Sequence, residues 1–201
     1  MVPPWAVTMR WRSGRGATVA EAVRSRHWRY WTLFAGLAGL SLFLRLLPLP
    51  GFAPGVPGGV PGPDLLLCLV LAWVLRRPDY MPALLVAVVF LLEDLLLMRP
   101  PGLWALIVLL GAEFLRGRQP LMRELPFLLE WAVVAAVIAA MWLAERLVLG
   151  LVMVPMPALG PALLHLLLTL LAYPLVVGVS HALLRVRKPA TGEVDALGRP
   201  L

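Results

Sequence analysis

Two adjacent carboxylates, Glu93 and Asp94, interrupt a run that is otherwise apolar from Ala83 to Met98. A lone charge in a bilayer core costs about 3 kcal/mol on insertion scales. Acid in such a place must therefore face protein or water, or carry a proton. Arg99, Pro100, Pro101 and Gly102 follow, and a second apolar run opens at Leu103, so the pair sits just before a tight turn between two apolar helices. Other residues with chemistry are sparse. His165 and Thr169 share a face of a later apolar run, and His181 falls near its opposite face. A single histidine on such a helix reads as a hydrogen-bonded packing residue. Cys68 is the only cysteine, which excludes an internal disulfide, and with the three histidines it shows no metal-ligand spacing. No Ser-His-Asp arrangement or phosphate loop is present, so no catalytic residue, metal or cofactor is expected.

The elements that must position the acidic pair follow from composition. Of the 201 residues, 61% are hydrophobic, and the mean hydropathy is +0.86. Soluble domains average about 45–50% apolar, so this chain belongs to the helical membrane class. The net charge of +7 is almost all arginine, with Lys188 the single lysine. In such a chain it speaks of topology and not of nucleic acid.

Residues 1–30 form a basic tail, with Arg10, Arg12, Arg15, Arg24, Arg26 and Arg29 against Glu21 and with Trp5, Trp11 and Trp28 interleaved. Its arginines can orient the first helix, or the tail can be a docking arm for anionic lipid or a cytosolic partner; residues 17–30 could form a short amphipathic helix on the headgroups. The first apolar run starts too late for an ordinary signal peptide and lacks a small-x-small cleavage site, so it reads as an anchor. Apolar spans are expected over about 31–47, 64–75, 83–98, 101–115, 127–149 and 162–184, a transmembrane domain of 31–184. Loops 48–63 and 150–161 are uncharged and rich in Pro and Gly, 116–126 is a polar loop, Pro174 is expected to kink the last span, and 185–201 is a polar tail. Asp64, after Pro63, is a good helix N-cap.

Charge sidedness tests that layout. The N-terminal tail, the second and fourth loops and the C-terminal tail hold 6, 2, 3 and 4 basic residues, whereas the first, third and fifth loops hold 0, 1 and 0. Both termini are therefore expected in the cytoplasm. Spans three and four are short, so six crossings and four crossings plus a re-entrant hairpin satisfy the rule alike. By depth, Arg45, Asp64, Glu93, Asp94, Arg99, Glu145 and Arg146 form an outer layer that almost neutralises itself. It reads either as inter-helical ion pairs or as a pocket for a ligand or a partner's helix. Within it, Asp94 is expected to point inward toward Arg45 or Arg146, and Glu93 toward the rim near Arg99.

The stretch Pro63-Asp64-Leu65-Leu66-Leu67, then Arg76-Arg77-Pro78-Asp79, then Leu91 to Leu106 resembles the rod shape-determining protein MreD family. Asp94, followed by Pro101-Gly102-Leu103-Trp104-Ala105, matches that family's acid in the third apolar run, Gly/Pro turn and opening of the next span. Glu93 is an additional acid, Met98-Arg99-Pro100 stands where a glycine is common, and the basic tail exceeds the family's short one. The resemblance covers roughly residues 31–184. It implies an all-α polytopic fold of about six transmembrane helices, similar to the substrate-binding subunits of energy-coupling-factor transporters. It also implies a non-enzymatic inner-membrane scaffold of the cell-elongation machinery that binds MreC and links MreB filaments to the peptidoglycan polymerase complex. The alternative is a small-molecule-binding transport subunit. Against it, a vitamin site needs converging polar or aromatic side chains, and the outer loops are Pro, Gly, Leu and Met.

Overall fold

A computed structural model describes residues 31–47, 61–78, 81–156 and 158–183. The readings placed on the tail 1–30, on residues 48–60 of the first loop, on Asp79 and Tyr80, and on the C-terminal tail lie outside the described residues. Within them the chain is all-helical. Seven helices occur: α1 Trp31–Leu46, α2 Leu65–Arg76, α3 Ala83–Leu96, α4 Leu103–Gly117, α5 Gln119–Glu124, α6 Phe127–Leu151 and α7 Leu159–Leu183.

The short helix α2 is the axle. Every residue from Leu66 to Arg76 is buried, although twelve residues reach only about 18 Å. A helix apolar on all sides must be surrounded, and α7, α4, α5 and Phe34 of α1 do so; the Phe34 and Trp73 ring centroids lie 6.0 Å apart. Helices α2 and α7 run in the same direction. Asp64 bonds Thr169 near one end, and the Trp73 indole donates to Ser180 near the other, at 3.3 Å.

The long helices are peripheral. Among the described residues, helices α6 and α7 are the two that are long and apolar enough to cross a membrane, yet only 22% and 28% of their most apolar windows are buried. On α6 the covered stripe is Glu130, Val134, Ile138 and Met141, one face of a helix. The outward faces carry leucine: Leu84 is 75% exposed, Leu128 69% and Leu175 71%. Buried polar residues meanwhile include Asp64, Arg76, Glu93, Asp94, Gln119, Glu130, Thr169 and Ser180. Polar side chains inside and leucine outside is the arrangement expected of a chain solvated by lipid.

Turn chemistry fixes the hairpins. Helices α3 and α6 both end with a methionine in the left-handed region, Met98 at φ 53° and Met153 at φ 56°. In each case an amide two residues past the helix cap reaches back to an i−5 carbonyl, Arg99 to Asp94 at 2.9 Å and Val154 to Leu149 at 3.0 Å. That is the Schellman closure, which usually takes glycine. Gly102, at φ +86°, then turns the chain into α4. Helices α4 and α6 approach closely at Gly111, where an added Cβ would lie 2.6 Å from the Met141 sulfur.

Two local expectations change. The polar loop 116–126 contains α5, because Pro120 sits in its first turn, where a missing N–H is tolerated. Helix α7, with Pro174 in its interior, begins at Leu159, before the expected start at residue 162.

Candidate functional site

Two buried polar clusters close the ends of α2. At its start, Asp64 is the N-cap: one carboxylate oxygen accepts from the Leu67 amide at 2.9 Å. The same oxygen lies 3.0 Å from the Arg45 guanidinium at the end of α1. A second guanidinium nitrogen of Arg45 donates to Glu93 near the end of α3. One arginine thus ties α1, α2 and α3 together, with Asp64 1% exposed and Glu93 0%. Helix α7 joins from the other side. The Asp64 amide donates to the Thr169 hydroxyl at 3.0 Å, the Thr169 hydroxyl donates to the His165 carbonyl at 2.8 Å, and the Cys68 thiol donates to the Thr169 carbonyl at 3.3 Å. His165 Nδ1 donates to the Gly62 carbonyl at 2.6 Å, so this ring nitrogen carries its hydrogen.

Asp94 does something else. Its carboxylate accepts from the amides of Gly102 at 3.0 Å and Ala105 at 3.2 Å, capping α4 from the preceding helix. The expectation that Asp94 meets Arg45 or Arg146 is therefore corrected, as is the expectation that Glu93 turns to the rim near Arg99. Both acids are fully buried. They sit about 100° apart on α3, and each direction leads to a different neighbour, α1 and α2 for Glu93 and the N-terminus of α4 for Asp94. Arg99 and Arg146 stay outside the Arg45 cluster. The Arg99 guanidinium lies 5.7 Å from the Trp104 ring centroid, and that of Arg146 lies 4.9 Å from the Trp142 ring on its own helix. Glu145 is half-buried on α6, within electrostatic reach of Arg99.

Alanine at Asp94 removes a helix cap, worth about 0.5–2 kcal/mol, and leaves two inward-facing amides open. Asp94→Asn keeps an acceptor oxygen and loses only the charge at the helix N-terminus, about 0.3–1 kcal/mol. Thermal unfolding in detergent should therefore rank wild type, Asn and Ala in that order, and an Asn variant as damaged as Ala would contradict the cap.

At the other end of α2, Arg76 pairs with Glu130 of α6 at 2.8 Å. The Tyr173 hydroxyl of α7 donates to the same Glu130 oxygen at 3.3 Å. Arg76 also donates to the Ala72 carbonyl at 3.3 Å, and Gln119 of α5 donates to the Leu75 carbonyl, also at 3.3 Å. The sequence does not show this cluster as a unit. Arg76 reads as part of a turn, but the Glu130, Val134, Ile138, Met141 spacing was available as a sign that Glu130 faces inward. Nothing in the sequence pointed to Tyr173. Near the same end, Arg116 pairs with Glu113 on α4 at 2.5 Å and donates to the Met81 carbonyl.

No protein-family model, curated protein or solved structure matches this chain. Among the described residues no set of three His, Cys, Asp or Glu side chains is placed to hold a metal ion. What these residues do is visible in their contacts: Arg45, Asp64, Glu93, Asp94, Arg76, Glu130 and Tyr173 each bind another helix of the same chain.

Proposed function

We propose that the chain is a non-enzymatic, multi-pass inner-membrane scaffold of the bacterial cell-elongation machinery, binding MreC and linking MreB filaments to peptidoglycan synthesis. The observation that carries the reading is the α3–α4 hairpin. The residues that resemble the MreD family, Asp94 and Pro101 to Ala105, are those that build this joint, with the Asp94 carboxylate on the Gly102 and Ala105 amides. The buried charges tie helices together, which suits a rigid platform whose apolar exterior meets lipid and partner helices. The test is depletion in the native host with microscopy and detergent pull-down. Rounded cells and co-purified MreC support the scaffold; normal shape with lost uptake of a small molecule supports a transport subunit instead.

The same reading takes six crossings with both termini in the cytoplasm. Helices α2 and α7 run in the same direction, as the second and sixth of six alternating spans must. The basic residues favour the side that carries both tails. A reporter fused after Leu201 should be active in the cytoplasm, and activity confined to the periplasm would overturn this topology.

A further inference from the structure

Arg45, Asp64 and Glu93 meet with side chains only 19%, 2% and 0% exposed. The guanidinium brings one positive charge, whereas two ionised carboxylates would bring two negative ones. The other charged groups within electrostatic reach of Glu93 are Arg99 in the α3–α4 turn and Asp94 beside it; Asp64 is within reach of His165 on α7 and of Arg99. Asp94 is met by the amides at the start of α4. Arg99 lies over the Trp104 ring, and Glu145 on α6 is a further acid within its reach. The His165 ring nitrogen nearest the backbone is committed to Gly62. The Arg45 cluster is therefore one positive charge short.

Asp64 Oδ2 and Glu93 Oε2 are buried and accept no hydrogen bond, as holds also for the second oxygens of Asp94 and Glu130, and Arg45 Nη2 in the same cluster donates none. What sets this cluster apart is the charge count, one guanidinium against two buried carboxylates, where Arg76 and Glu130 pair one to one. A single hydrogen on one of the two carboxyl groups supplies the missing positive charge.

We propose that the Arg45–Asp64–Glu93 cluster is a binding site for one exchangeable proton, carried by Glu93 against the Asp64 carboxylate, and that this proton keeps α1 seated. The O–H bond forms at Glu93 with a proton drawn from bulk water, which returns there on release; no electrons move. Helix α1 buries Phe34 and Ala38 and is tied at its far end through Arg45. Release of the proton sets a second buried negative charge against Asp64 and loosens that tie.

The full chain in nanodiscs of neutral lipid tests this by infrared difference spectroscopy between neutral and alkaline pH. The wild type should lose one protonated-carboxyl C=O band on alkalinisation. Glu93→Gln, which has the shape of the protonated acid and so should elute as the wild type does, should show no such band, and Asp94→Asn should keep it. Hydrogen exchange over Trp31–Leu46, corrected for intrinsic rates, supplies a second readout. In the wild type it should rise above the transition by about tenfold per pH unit, the slope of a one-proton linkage, and in Glu93→Gln it should stay flat. An absent wild-type band, a band that survives in Glu93→Gln or is lost in Asp94→Asn, or equal pH responses of α1 would overturn the proposal.

Discussion

Replacing Arg45 by methionine is expected to destabilise the protein by about 3–5 kcal/mol, the usual result of stranding a buried charge. Methionine keeps most of the stem's volume, so the loss isolates the guanidinium. Asp64 and Glu93 would then face each other with no cation between them, and α1 would lose its link to α2 and α3. Arg45→Lys should fall between wild type and methionine. Two adjacent guanidinium nitrogens serve two different carboxylates here, and a single ammonium lacks that fork. Denaturant unfolding in detergent, together with membrane abundance in cells, reads both effects. A methionine variant as stable as wild type would show that Arg45 is not the tie.

The second large effect is at the other end of α2. Arg76→Met strands Glu130 in a site where it is 0% exposed, and Glu130→Met strands Arg76. Each single change should cost about 3–5 kcal/mol, whereas the double change should recover most of the loss, because a buried pair replaced by apolar side chains of similar volume is often neutral. The Tyr173 hydroxyl loses an acceptor in the double variant, which leaves a residual deficit of about 1–3 kcal/mol. The same unfolding assay over the four proteins closes the cycle. Additive losses would mean that Arg76 and Glu130 act separately and that the pairing carries no coupling energy.

How far this architecture was legible in the sequence depends on the residue. Asp64 was readable as an N-cap because Pro63 stops the chain before it and a continuous apolar run follows. The Leu67 amide is where that reading puts its partner. The outer charges were readable as a layer because hydropathy gives depth, and depth brought Arg45, Asp64 and Glu93 together correctly. Direction was not readable. Adjacent acids on a helix point 100° apart, and which of them meets arginine depends on the rotation of α3, which a run of leucines on both sides leaves open. Asp94, expected to meet an arginine, caps α4 instead; that role depends on the Gly102 turn, at φ +86°. The Arg76–Glu130–Tyr173 cluster was harder still. Its members come from α2, α6 and α7, and a tyrosine hydroxyl leaves no pattern in hydropathy. Helix α5 was hidden by its own polarity, since six residues with a proline resemble a loop.

The central structural claim is that α2, short as it is, lies enclosed by its neighbours from Leu66 to Arg76, which places Asp64 and Arg76 at its two ends out of reach of bulk solvent and lipid. The chain carries its own probe. Cys68 is the only cysteine, it sits on α2, and it is fully buried. The most direct measurement is the rate at which a small thiol reagent, soluble in both water and lipid, labels the purified protein in mild detergent. The account predicts labelling far slower than that of the unfolded chain in strong detergent, and faster labelling in Arg45→Met as the bundle loosens. Native Cys68 reacting as fast as the unfolded chain would place α2 at the surface and contradict the account.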